Sequence, residues 1–209
     1  MRIPLLVVPA LALLTACSGT PTPATPAPPT SSGAAGSGPA GSGAAGSGAA
    51  GSGAAGFDDP APAAAADKIG PGTACPIPAT IPTAAKWKPK DATSANLTTA
   101  GVTLRCEIDA KPSGVLGFIR VYTYDGADPT QALTAALATP GLGGTKTTDR
   151  RLTIAGKPGI EATLKAESSG PGRAFAAGGV VLVWRGVDTE EFQSGLPAYV
   201  LARTSITFP

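Results

Sequence analysis

Carboxylates are the side chains of this chain best suited to acid–base chemistry, because the sequence contains no histidine. Glu107 and Asp109 lie along one predicted strand, and Glu161 and Glu167 lie along another. Hydrolysis of a glycosidic bond needs only two carboxyl groups, so either pair could in principle serve it. Each pair also fits the solvent side of a strand whose other side is apolar. We expect all four side chains to be exposed and the chain to have no catalytic residue.

The composition excludes several other classes of function. Without histidine, Ser-His-Asp and Cys-His nucleophiles and His-ligated metals are ruled out, and no G-x-S-x-G or S-x-x-K motif is present. Charged residues make up 14% of the chain, the net charge is +2, and Lys and Arg do not cluster as they do on a nucleic-acid-binding surface. We expect no cofactor, no metal and no nucleic-acid partner.

Cys17 ends the sequence Leu14-Thr15-Ala16-Cys17, which closes a short apolar run that begins at Ile3. A basic start followed by such a run is typical of a signal peptide, whereas a membrane-spanning helix needs about 20 apolar residues. The four residues resemble the lipobox of bacterial lipoproteins. That resemblance implies cleavage before Cys17, diacylglycerol on its sulfur and an acylated amino group, and two or more acyl chains anchor a protein stably. We expect an exported protein anchored through Cys17 to the outer face of the cell membrane.

Cys75 and Cys106 remain as an even pair once Cys17 is lipidated. Export places them in an oxidising compartment, where such a pair favours a disulfide. Two reduced buried thiols or a metal pair are the alternatives, and the lack of histidine and of C-x-x-C spacing disfavours the metal. We predict a Cys75–Cys106 bridge, which would contribute about 3–4 kcal/mol by restricting the unfolded chain.

The chain divides into three predicted parts. Residues 1–16 form the signal peptide, and residues 17–66 hold the lipidated cysteine and a disordered linker, first rich in Pro and Thr and then built from Ser-Gly-Ala-Ala-Gly repeats. Repeats of Gly, Ser and Ala cannot bury a face, so we read the linker as a flexible spacer with a reach of roughly 40 Å. Residues 67–209 remain for a single folded domain.

Hydrophobic periodicity predicts the elements of that domain. Residues 102–109 alternate as a strand with one buried face, and a short Pro/Gly connection joins them to a second strand at 115–124. Asp128 and Pro129 are typical of a helix start. Alternation also predicts strands around Leu152 and Ile154 and over residues 160–166, and the apolar run at 180–184 is typical of a central strand.

The end of the chain predicts a short turn capped by Asp188 and then a separate helix beginning at Pro197. Consecutive strands joined by tight turns favour an antiparallel sheet. The predicted fold class is α+β: a single domain with an antiparallel β-sheet and the helices packed on one side.

One polar stretch, Lys86-Trp87-Lys88-Pro89-Lys90, places an aromatic side chain between cations. Trp87 with Lys86, Lys88 and Lys90 could form an interaction surface for anionic lipid head groups or acidic wall polymers. The alternative is that Trp87 packs at the edge of the core while the lysines stay in water.

The domain resembles small cell-surface lipoproteins of actinobacteria, some of which carry PsbP-like domains. The resemblance rests on the lipobox, on the segment 152–162 with its Gly-Lys-Pro turn, and on the ending from Glu191-Phe192 to Ile206-Thr207-Phe208. It implies a non-catalytic domain that binds a protein, lipid or glycan partner in the cell envelope. A cofactor-free, carboxylate-based hydrolase acting on wall glycan and a structural envelope tether are the alternative functions.

Overall fold

The computed structural model describes residues 57–126, 128–167 and 170–209, which form ten strands and two α-helices. The predicted signal peptide, Cys17 and most of the predicted linker lie outside these residues. In chain order the elements are β1 (Ala65–Ile69), β2 (Ile81–Ala84), β3 (Lys88–Asp91), β4 (Thr98–Thr99), β5 (Val102–Asp109), β6 (Gly117–Tyr124), α1 (Pro129–Leu137), β7 (Lys146–Ile154), β8 (Lys157–Leu164), β9 (Gly172–Ala177), β10 (Val180–Gly186) and α2 (Thr189–Ser205).

An antiparallel sheet organises the domain. Its strands run in the order β3-β5-β6-β10-β9-β8-β7, and the short strand β4 also pairs with β5. The predicted hairpin is confirmed, since β5 and β6 pair from Val102 opposite Tyr124 to Asp109 opposite Phe118. The apolar strand β10 lies in the middle of this order, as predicted, and β1 and β2 form a separate two-stranded sheet.

The two helices lie on opposite faces of the sheet. Along β10, Val181 and Val183 belong to the core cluster that contains α1, whereas Leu182 and Trp184 belong to the cluster that contains α2. The predicted α+β class with an antiparallel sheet is confirmed, but the expectation that both helices pack on one side is wrong. A central strand that is apolar on both faces needs cover on both, and one helix supplies each cover.

Helix α1 begins as its sequence predicts. The Asp128 side chain accepts hydrogen bonds from the backbone N–H groups of Thr130 (2.8 Å) and Gln131 (3.4 Å), and Pro129 takes the first helical position. These contacts satisfy backbone donors that the first turn of a helix leaves free. The helix is short and ends at Leu137.

Helix α2 is a single helix of 17 residues. Asp188 caps it, accepting from the backbone N–H of Glu191 at 2.9 Å, but the helix continues through Pro197 instead of starting there. The predicted division into a turn and a separate helix is therefore wrong. Proline costs about 3 kcal/mol inside a helix, and the burial of side chains such as Phe192 and Tyr199 against the sheet outweighs that cost.

The folded part reaches further towards the N-terminus than the predicted boundary at residue 67. Strand β1 begins at Ala65, and the Phe57 side chain is only 3% exposed. The backbone N–H of Ala63 donates to the carbonyl of Pro197 in α2 at 2.9 Å. Residues 57–66 therefore contact the domain instead of extending the linker.

Candidate functional site

Helix α1 is shorter than the strands of the sheet face on which it packs. Its 9 residues span about 13 Å, whereas the 8 residues of β6 span about 26 Å. Tyr122 belongs to the same core cluster as α1 and is fully buried. Phe118 and Arg120 lie on the same side of β6 as Tyr122, because every second residue of a strand faces the same way. These two side chains line an open cleft of about 530 Å³. That volume falls in the range of small-molecule binding sites.

Two ion pairs lie next to an aromatic ring on the floor of the cleft. Lys90 Nζ lies 2.6 Å from Asp109 Oδ2, and Arg120 Nε lies 2.9 Å from Glu107 Oε1. Both cations lie near the Phe118 ring, each 5.8 Å from its centroid. The floor therefore offers an apolar surface with two cations next to it.

Arg185 fixes the wall of the cleft that follows α1. Its guanidinium donates to the backbone carbonyls of Gly143, Lys165 and Gly170, the last at 3.1 Å. Burial lowers the pKa of Arg185 from its ordinary value, although the charge of Glu167 opposes that shift. Three carbonyl contacts stabilise this guanidinium and hold the loop at residues 141–143 against the sheet.

The rim of the cleft is apolar. Leu116 is 46% exposed and Val187 is 53% exposed, and these are the large hydrophobic side chains that the described residues leave most open to solvent. Both line the cleft, together with Leu142. The backbone N–H of Leu116 donates to Glu191 Oε2 at 2.8 Å, which ties this rim to the start of α2.

The charge of the cleft suits an anion better than it suits hydrolysis. Four cationic side chains line it, and the carboxylates next to them are Asp109 and Glu107, which pairs with Arg120. A hydrogen bond from Lys90 holds the pKa of Asp109 below its ordinary value, burial opposes that effect, and the Lys111 backbone N–H donates a second bond at 3.0 Å. A carboxyl group with a lowered pKa is ionised at neutral pH, so it is poorly suited to protonating a leaving group.

Neither a metal centre nor a membrane span is found in the described part of the chain. Its His, Cys, Asp and Glu side chains form no group of three that could hold a metal ion. None of its helices has the length and apolarity needed to cross a membrane.

The predicted interaction surface around Trp87 does not hold together. Trp87 is 6% exposed and belongs to the core, with its ring centroid 5.5 Å from that of Trp184. Treating it as part of a surface is therefore wrong, and the alternative reading of Trp87 is correct. Lys86 and Lys88 are exposed and do not line the cleft, whereas Lys90 contributes to its floor.

The expectation that all four carboxylates face solvent is wrong for two of them. Asp109 is 7% exposed, and Glu161 is fully buried among Arg150, Arg173 and Arg203. Strand β8 is an internal strand with buried residues on both faces, so alternation along it does not separate core from solvent. Glu167, beyond the end of β8, is exposed as expected.

The predicted disulfide is present. Cys75 and Cys106 are bonded, both are fully buried, and their bridge links the segment before β2 to strand β5. Cys17 lies outside the described residues, so its lipidation stays a prediction.

Sequence reasoning missed the residues that form the rim and wall of the cleft. Leu116 lies in the connection between β5 and β6, and Val187 follows the central strand. Leu116 fell inside the strand predicted at 115–124, so no signal in the sequence indicated that its side chain is exposed. The position of Arg185 gave no such signal, because its role depends on carbonyls from two distant loops.

One comparison with known proteins gives a match. A family model described as uncharacterised lipoprotein matches residues 46–206, which is most of the chain. No curated protein and no solved structure matches.

Proposed function

Since the chain belongs to this family of uncharacterised lipoproteins, we propose that it is a membrane-anchored binding protein for an anionic amphiphile. Lipidation of Cys17 attaches it to the outer face of the cell membrane, and the linker that follows gives the domain its reach. The cleft beside α1 holds the ligand, and the protein carries out no reaction on it.

The observation that carries this proposal is that the two most exposed large aliphatic side chains, Leu116 and Val187, line the same cleft as the cations. Exposed apolar surface in a soluble domain marks interaction sites, and here it lies next to positive charge. A ligand with an apolar chain and an anionic head complements both properties. A purely apolar molecule would make no use of the cations of the cleft, and a small anion would leave its apolar side chains uncovered.

The cations of the cleft differ in how much of their charge is compensated. Lys90 and Arg120 already pair with Asp109 and Glu107 on the floor. The ammonium group of Lys111 makes no ion pair within the described residues, and it lines the same cleft. We therefore assign Lys111 as the main contact of the anionic head, with Leu116 and Val187 against the chain.

The wall-glycan hydrolase receives less support than binding. The carboxylate of the cleft, Asp109, is held in its ionised form, whereas a glycosidase needs one carboxyl group with a raised pKa. The buried Glu161 accepts hydrogen bonds from three arginines and a tyrosine, so its oxygens are engaged inside the protein.

Photo-crosslinking in membranes that hold the full-length protein tests this function. The probe is a long-chain alkyl phosphate with a diazirine in its chain, compared with an analogue that carries a trimethylammonium head. We expect the phosphate probe to label peptides containing Leu116 or Val187, and the Lys111→Glu substitution to reduce the labelling about 5–10-fold, since a lost charge contact costs about 1 kcal/mol.

Lys68→Glu is the matched control, because Lys68 is an exposed lysine on β1, away from the cleft lining. Its labelling should equal that of the unchanged protein. Equal labelling by the cationic analogue, or label that maps elsewhere in the chain, would exclude the proposed ligand class.

A further inference from the structure

A second charged site lies on the other side of the sheet, around the buried Glu161. Arg150 donates to Glu161 Oε2 at 2.6 Å, and Arg203 donates to the same oxygen at 3.0 Å. Arg173 donates to Oε1 at 3.1 Å, as does the Tyr199 hydroxyl at 3.0 Å. Glu161 thereby holds three guanidinium groups in fixed positions around one point.

One carboxylate cannot balance three guanidinium groups. Arg173 is 2% exposed, and its burial works against its charge, but Glu161, Tyr199 and Asp59 together raise the pKa of this guanidinium above its ordinary value. The pKa of Tyr199 is also raised, first by its complete burial and then by the charge of Glu161, so its hydroxyl is a neutral donor. The three arginines therefore favour a second anion.

Asp59 supplies that anion from a distant part of the chain. Its Oδ1 lies 2.7 Å from Arg173 Nη2, and its Oδ2 accepts from Arg203 and lies 3.6 Å from Arg150. The carboxylate is about a quarter exposed, whereas Glu161 is fully buried. Asp59 thus occupies the open side of a site whose inner side Glu161 fills.

The buried ring of Phe57 packs against two of the same arginines. The guanidinium carbons of Arg150 and Arg173 lie 4.4 and 4.9 Å from the centroid of its ring. At these distances a cation over an aromatic face is attracted to the ring. Asp58, between the two docked residues, is exposed.

We infer that Arg150, Arg173 and Arg203 form a carboxylate-binding site whose ligand is the Phe57–Asp59 segment of the same chain. The segment follows the last Ser-Gly-Ala-Ala-Gly repeat directly, and residues 58–62 are otherwise largely exposed. Its contacts are therefore concentrated in one ring and one carboxylate. The site clamps the point where the predicted linker joins the domain, a role separate from that of the cleft.

Chemical rescue of the full-length protein tests this inference. Asp59→Ala removes the ligand carboxylate, and Asp58→Ala is the matched control, because Asp58 forms no ion pair within the described residues. We expect Asp59→Ala to lower the Tm by several degrees and Asp58→Ala to leave it within about 1 °C. Acetate at about 0.2 M should raise the Tm of Asp59→Ala by roughly 3 °C if acetate binds with a Kd of about 50 mM.

Chloride at the same ionic strength is the control for charge screening, and it should restore little of the Tm that Asp59→Ala loses. Chymotrypsin gives an independent readout, since release of Phe57 exposes its bond: we expect cleavage there to be at least about 10-fold faster in Asp59→Ala than in Asp58→Ala. Should Asp59→Ala not fold, Asp59→Asn, which keeps the side-chain volume, is taken through the same series. Equal rescue by acetate and chloride, or equal Tm and cleavage in the two alanine variants, would overturn the inference.

Discussion

Replacement of Glu161 by glutamine is the most informative perturbation of this fold. The substitution keeps the size of the side chain and removes its charge, leaving Arg150, Arg173 and Arg203 with Asp59 as their remaining carboxylate partner. It also turns one acceptor oxygen into an NH2 group that faces donors. Removal of one partner from a buried ion pair costs about 3–5 kcal/mol.

For a domain of this size, that loss corresponds to a decrease in Tm of roughly 10–15 °C. Urea denaturation followed by circular dichroism, on the full-length protein, measures the change in free energy of unfolding directly. Glu167→Gln is the matched control, since the same change is made at an exposed carboxylate a few residues away, and it should stay within about 0.5 kcal/mol of the unchanged protein.

Equal free energies of unfolding for Glu161→Gln and Glu167→Gln would contradict the burial of the Glu161 charge. Such a result would mean that Glu161 lies in water, as the alternation of β8 predicts from sequence. A large loss for Glu161→Gln alone would establish that the arginine cluster depends on its buried carboxylate.

Three further outcomes follow from the structure. Because the Cys75–Cys106 bridge spans a separation of 31 residues, replacing both cysteines by serine should lower the free energy of unfolding in urea by about 3–4 kcal/mol. Reduction of the unchanged protein with dithiothreitol should lower it to the same value. An unchanged free energy of unfolding would contradict stabilisation through the restricted unfolded chain. Cys17→Ala should leave an uncleaved precursor that is not retained by lipid, and unchanged membrane fractionation would remove the anchor. Burial raises the pKa of Tyr122 to about 12, whereas its pKa in the unfolded chain is near 10. The contribution of the neutral Tyr122 to stability is therefore complete below about pH 10 and is lost as the pH rises through about 12. Tyr122→Phe should make the decrease of Tm over this pH range smaller.

The cleft and the arginine site use charge in different ways. In the cleft, the ammonium group of Lys111 makes no ion pair within the described residues, and it lies beside exposed apolar side chains. Around Glu161, carboxylates of the same chain already balance most of the positive charge. An external ligand therefore has a reason to enter the first site, whereas the second is occupied from within.

Local sequence determined the features that depend on neighbouring residues. The alternation of 102–109, the Pro/Gly connection after it and the cap at Asp128 predict the hairpin and α1 because each is stabilised within a few residues. The bridge between Cys75 and Cys106 could be predicted because two cysteines remain after Cys17 and export exposes them to an oxidising compartment. The lipobox depends on a contiguous motif, and the family match is consistent with it.

Tertiary structure decided every feature in which distant segments meet. Strand β9 escaped prediction because Ala174, Ala176, Ala177 and Gly172 have weak strand propensity, and its pairing with β8 and β10 stabilises it. Pro197 lies inside α2 because packing against the sheet outweighs a local rule.

The position of Glu161 is the clearest case. Its neighbours in sequence predict a solvent-facing carboxylate, and arginines 11, 12 and 42 residues away make its burial possible. The same holds for the cleft, which exists because a short helix meets longer strands. Periodicity describes which side of an element a residue occupies, but only the assembled fold determines what covers that side.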